Sequence, residues 1–142
     1  MYEMLVDSEW VGQHGLLAEG IETWFVADPQ AGFAPNVNVL TQVAGVPDME
    51  TYLELSIESG PALMDGFELL REDVLEGEAG QELGVMEYAG SAGGRDLRFL
   101  GVFILVDGRA IVATFTAPEG RYDDLIGSVE PYLVSLRPTG DA

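Results

Sequence analysis

Hydrophobic and polar positions follow two rhythms along this chain, and each change of rhythm marks an element. Ile21–Ala27 (IETWFVA) is rich in aromatic and β-branched residues and predicts a strand, followed by a turn at Asp28–Gly32 (DPQAG). Asn36–Val43 (NVNVLTQV) alternates, with Val37, Val39 and Thr41 on one face of a second strand. The period then lengthens. Met49, Tyr52, Leu53 and Ile57 form one helical stripe, with Asp48 as its N-cap and an end predicted near Ser59-Gly60-Pro61. Gly66–Leu75 and Leu83–Ala89 predict two further strands around a turn at Glu76–Gly80. Gly90–Gly94 (GSAGG) predicts a flexible hairpin loop.

Asp96–Val106 (DLRFLGVFILV) is the most informative stretch. Leu97, Phe99, Phe103 and Leu105 fall on one face, and Leu100, Val102, Ile104 and Val106 on the other. A strand that is apolar on both faces is covered on both faces. Asp107-Gly108 is a strong two-residue hairpin signal, and Ala110–Ala117 predicts the antiparallel return. From Arg121 the period becomes helical, with Tyr122, Leu125, Ile126, Val129, Leu133 and Leu136 on one stripe. Pro131 lies inside that stripe and predicts a kink or a break. Arg137 suits the negative end of the helix dipole. Together these elements predict an α+β fold: an antiparallel sheet of about six strands with helices packed on both faces.

A length of 142 residues is that of one ordinary domain, expected to span 1–142 with an N-terminal arm at 1–20 and a core at 21–137. Apolar residues make up 47% and charged residues 22%, which favours a folded chain over a disordered one. Charge is lopsided: 25 acids against 6 bases, all arginine, give a net charge of −19. Residues 1–70 carry no base at all. Such a surface repels nucleic acid and anionic lipid and steers cationic partners. The chain has no cysteine, no lysine and one histidine, His14. This removes thiol nucleophiles, disulfides, zinc fingers, Schiff-base lysines and the P-loop lysine. Met1–Val11 has neither a basic nor an apolar signal-peptide region, and no apolar run approaches a membrane span, so a cytoplasmic location is expected.

Few residues invite chemistry. His14 sits in a loop-like setting, Gly12-Gln13-His14-Gly15, with only Ser8 as a nearby hydroxyl. Glu54 and Glu58 lie four apart on the first helix and read as a solvated face. Gly90, Gly93 and Gly94 lack the spacing and the lysine of a phosphate loop. Asn36 and Asn38 alternate with Val37 and Val39 and are expected to be exposed strand polars; the alternative is an asparagine that bonds to neighbouring backbone and fixes the entry to the strand. Trp10, Trp24 and Phe25 are the best candidates for a partner-binding surface. Trp24 and Phe25 are adjacent on a strand, so one enters the core and the other needs a cover.

Gly32–Leu40 (GFAPNVNVL), Tyr52–Leu70 (YLELSIESGPALMDGFELL) and Asp107–Arg137 (with GRAIVATFTAPEGRYDDLIGSVEPYLVSLR), taken in order, resemble the actinobacterial LpqN-like proteins of the PsbP/Mog-like superfamily. The resemblance spans about Glu22 to Arg137. It implies a central antiparallel sheet between helices, an α/β/α sandwich. It also implies binding of another macromolecule without a common catalytic site, as in a photosystem extrinsic protein, a Ran-binding import factor and toxin chaperones. The chain departs from lipoprotein members in showing no signal peptide and no lipidation cysteine. The expectation is a soluble, non-enzymatic protein-binding or adaptor domain with no cofactor and a basic protein partner; a homodimer is compatible with it. One alternative is a chaperone-like module that shields apolar segments of a client. Another is a carboxylate enzyme holding a divalent metal weakly among Glu119, Asp123 and Asp124.

Overall fold

The computed structural model describes residues 2–14, 22–29, 33–46 and 48–139. In chain order these form β1 (Tyr2–Glu3), β2 (Val11–His14), β3 (Glu22–Phe25), β4 (Asn36–Val43), α1 (Met49–Leu63) and β5 (Asp65–Glu76). There follow β6 (Glu82–Ala92), β7 (Arg95–Val106), β8 (Arg109–Pro118), α2 (Glu119–Leu133) and β9 (Arg137–Pro138). Local chemistry explains most boundaries. The Asp48 carboxylate accepts from the Thr51 amide at 2.8 Å and caps α1. Asp107 and Gly108 both have positive φ, 50° and 78°, the backbone that a two-residue reversal between β7 and β8 requires.

One antiparallel sheet of seven strands runs in the order β2-β3-β4-β8-β7-β6-β5, and β1 pairs with β9 in a separate two-stranded ribbon. β7 lies inside the sheet, and its central residues are buried on both faces, as its double apolar pattern demands. The α2 side buries Val37, Val39, Leu83, Val85, Leu100, Val102, Phe115, Tyr122, Val129 and Leu133 in one core. The α1 side buries Met49, Tyr52, Leu53, Met86, Phe103 and Val112 in another. Each fully buried aliphatic or aromatic side chain contributes about 1.5–3 kcal/mol, so the two cores dominate the stability. The α+β architecture with a helix on each face follows from them.

Several expectations need correction. The sheet has seven strands rather than six, because Val11–His14 pairs with β3. His14, read as a loop residue, ends β2 opposite Glu22. The hairpin between β6 and β7 is a tight turn at Gly93–Gly94, with φ of 60° and 78°; Gly90 to Ala92 belong to the strand. α1 runs past Pro61 to Leu63 and α2 past Pro131 to Leu133. Both prolines sit in the last turn, where each removes one intrahelical bond without ending the helix, and the closing bonds survive: Met64 donates to the Gly60 carbonyl and Val134 to that of Glu130. Arg137 does not serve the helix dipole. It lies in β9, where its Nε donates to Glu3 Oε1 at 2.5 Å across the ribbon.

Candidate functional site

Trp10 and Trp24 come together on one side of the sheet. Trp10 packs edge-on against Tyr132 of α2, ring centroids 5.0 Å apart, and both tryptophans pack on the α2-side core. Tyr132 in turn donates to Asp7 at 3.3 Å, and that carboxylate holds the phenol above its usual titration range. Phe25 is half-buried and, one residue after Trp24, faces the other side of the sheet. The three aromatics therefore do not share one surface. Asn36 and Asn38 are half-buried rather than exposed, and Asn36 donates from Nδ2 to the Ala34 carbonyl at 3.1 Å, which matches the alternative reading of a strand-entry bond. Glu54 and Glu58 are exposed on α1.

Two of the three acids weighed as metal ligands have an organic counter-ion. Arg98 of β7 lies 3.3 Å from Asp123 and 3.7 Å from Glu119. Among the described residues no cluster of three or more histidines and carboxylates is placed to hold a metal. Arg98 also anchors a network that the sequence pattern did not reveal. Its guanidinium stacks 4.3 Å over the Tyr122 ring and sits 3.8 Å from Glu87 of β6. The Tyr122 hydroxyl, on a fully buried side chain, donates to Glu87 Oε2 at 2.5 Å. Burial and that carboxylate raise the phenol far above its usual range, so it stays a donor. Nothing in the network acts as a nucleophile. It clamps α2 to β6 and β7. The available signal was Glu87 itself, a charge in the middle of an apolar strand.

At one end of the molecule the geometry opens. A cleft of about 560 Å³ lies between the chain after β1, the β5–β6 turn and the end of α2. Met4, Leu5, Leu75, Leu83, Pro131 and Val134 supply its apolar lining; Glu76 and Glu78 make its rim acidic, and Glu3 is paired there with Arg137. Leu5 is 68% exposed. The walls are tied by Gln81, whose Nε2 donates to the Leu136 carbonyl at 2.9 Å and whose Oε1 accepts from Ala79 N at 3.0 Å. An exposed apolar floor with an acidic rim is equipped to desolvate apolar groups and attract cationic ones.

No family model and no curated protein matches the sequence. Solved structures do. Cyanobacterial PsbP (CyanoP) from Synechocystis sp. PCC 6803 is 16% identical, with a TM-score of 0.69 over 97% of this chain and 86% of its own. LpqN of Mycobacterium tuberculosis, involved in cell envelope biogenesis, is 12% identical, with a TM-score of 0.62 over 95% and 81%. The Ran-binding protein Mog1p of Saccharomyces cerevisiae is 12% identical, with a TM-score of 0.62 over 96% and 89%. Among the described residues no helix is long and apolar enough to cross a membrane. The seven-stranded antiparallel sheet between two helices is thus the PsbP/Mog1-like fold.

Proposed function

We propose that this chain is a non-enzymatic protein-binding domain whose partner is basic. The acid-rimmed apolar cleft carries the proposal. Its floor supplies area for a partner's apolar side chains. Its rim, with the net charge of −19, supplies steering that is felt mainly in association rate and salt dependence. Likeness in fold to a Ran-binding protein supports a protein as the occupant. Closer kinship with the LpqN-like proteins belongs to the same proposal and rests on Gly32–Leu40, Tyr52–Leu70 and Asp107–Arg137. Trp10 and Trp24 on one side of the sheet, and Phe25 on the other, are proposed as separate secondary contacts, because all three stay half-buried in the isolated chain.

Affinity capture from host lysate tests this, with wild type and Leu5→Asp as baits at physiological salt and at about 1 M, where exposed charges are screened. A partner held by wild type, weakened by Leu5→Asp and released at high salt supports the proposal. Retention at high salt would favour the chaperone-like alternative, in which the apolar floor does the holding. Equal capture by both baits would remove the cleft, and capture of nothing would overturn the proposal.

A further inference from the structure

The two edges of the sheet are unequal. β2 is four residues long, whereas β5 runs for twelve and, among the described residues, pairs with β6 alone. An edge strand presents a row of unpaired N–H and C=O groups, which folded proteins blunt with bulges, charges or covering elements. The first half of β5 is blunted by register breaks between Asp65 and Glu68 and between Leu69 and Arg71. The second half is regular, each residue opposite one on β6 from Arg71–Glu87 to Glu76–Glu82. Nearly every residue of this strand is exposed, and Leu69, Leu70, Val74 and Leu75 keep 36–43% of their surface in contact with solvent.

We infer that Arg71–Glu76 accepts an extended segment of a partner protein as an additional strand, with basic residues alternating with apolar ones along that segment. This rests on the protein-binding reading and adds the mode and the chemistry of the contact. Glu72 and Val74 face the α1 side, because Val74 lies opposite Gly84, which packs against Met49 and Leu53. There they meet Glu50 and Glu54 in a notch of about 360 Å³. Arg71, Asp73 and Leu75 face the α2 side, where Arg71 reaches Glu130 at 3.3 Å and Leu75 borders the apolar cleft. An added strand therefore places one set of side chains beside Glu50, Glu54 and Glu72, and the other set toward the cleft. Lysine or arginine suits the first set and apolar residues suit the second.

Charge also rejects the obvious competitor. β5 carries Asp65, Glu68, Glu72, Asp73 and Glu76 against one base, Arg71, which is already turned to Asp73 at 2.9 Å. Two copies joined through β5 would bring ten carboxylates and two arginines to one seam, a net repulsion that opposes the pairing. The occupant is a basic segment from another protein.

The test uses the full chain, isotopically labelled for backbone amide NMR, and a blocked synthetic peptide, Lys-Val-Lys-Thr-Lys-Val-Lys. Controls are the same peptide with Glu for Lys and one with N-methylated alternate amides, which keeps the charges but cannot complete a ladder. The expected result is slowed hydrogen exchange on β5 with the Lys peptide alone. The double substitution Glu54→Lys with Glu72→Lys, both at exposed positions, should weaken binding about tenfold at low salt. Undiminished binding to this variant, equal binding of the N-methylated peptide, protection elsewhere or no protection would each overturn the inference. If lysate capture still shows the salt-sensitive partner in that case, the protein-binding reading stands and only the strand-addition mode falls.

Discussion

Tyr122→Phe isolates a single interaction. The ring stays, with its packing on Phe115 at 5.6 Å and under Arg98, and only the hydroxyl bonded to Glu87 is lost. A hydrogen bond to a charged group is worth about 1.5–3 kcal/mol. The Glu87 side chain keeps 19% exposure, so water repairs part of the loss and the lower end, about 1.5–2 kcal/mol, applies. A chain of this length changes stability by about 0.3 kcal/mol per degree near its midpoint, so Tm should fall by about 5–7 °C. Thermal melts by circular dichroism at pH 7 measure this. The sign of the pH dependence follows from the raised phenol pKa. The native state holds the proton that the unfolded state releases near pH 10. The contribution is therefore complete below pH 10 and is lost as pH rises toward the folded value, so the gap between wild type and variant should narrow there. A variant melting within about 1 °C of wild type at pH 7 would refute the assigned bond, because a charge-assisted hydrogen bond of that strength has to be visible in the melt. In the double variant with Glu87→Gln, a total loss equal to the sum of the single losses would show that the two groups act independently.

Gly127→Ala should stabilise by about 0.5–1 kcal/mol, since a Cβ there meets nothing and α2 gains a better helix former. Gly60→Ala should destabilise by about 1–2 kcal/mol instead, because its Cβ would lie 2.5 Å from the Phe67 ring, and urea unfolding distinguishes the two. All five tyrosines titrate above their usual value, with burial pushing Tyr88 up to about 12, so the native chain should show less tyrosinate absorbance at pH 10.5 than the urea-unfolded chain. Asp48→Ala should lower Tm at pH 7. The native cap holds that carboxyl below its usual 3.8, so its stabilisation is present above that pH and the difference should vanish as pH falls through the lowered value.

What could be read in advance was local. The stripe behind Asp48, the double apolar pattern of β7 and the Asp107-Gly108 reversal each involve residues close in sequence, and each appears in the fold. The two-residue strands β1 and β9 are too short to carry a period, so their pairing could not be seen. β2, with Gly12 inside it, carries none either. GFELLREDVL was legible as a strand, but its place at the edge of the sheet comes from strand order, which the segment itself does not contain. The cleft joins Leu5, Leu75 and Pro131 from three distant elements, and Glu87 meets Tyr122 only because α2 crosses β6 and β7. Pairing partners across a sheet are set by topology, which no window of sequence contains.

The strand order has a consequence for how the chain is made. β5 to β8 form a meander in which each strand pairs with the next, so these contacts close short loops. β4 instead pairs with β8, Val43 opposite Arg109 and Asn36 opposite Thr116. During synthesis β4 leaves the ribosome with the whole of α1 and the meander still to come, and only β3 can pair with it until β8 follows. Long-range closure of this kind is slow, and the waiting strand is exposed to misassociation. The first seventy positions carry acids and no base, so copies of that segment repel one another, which opposes such misassociation. The charge proposed above to steer a partner to the finished fold also opposes association of the unfinished one.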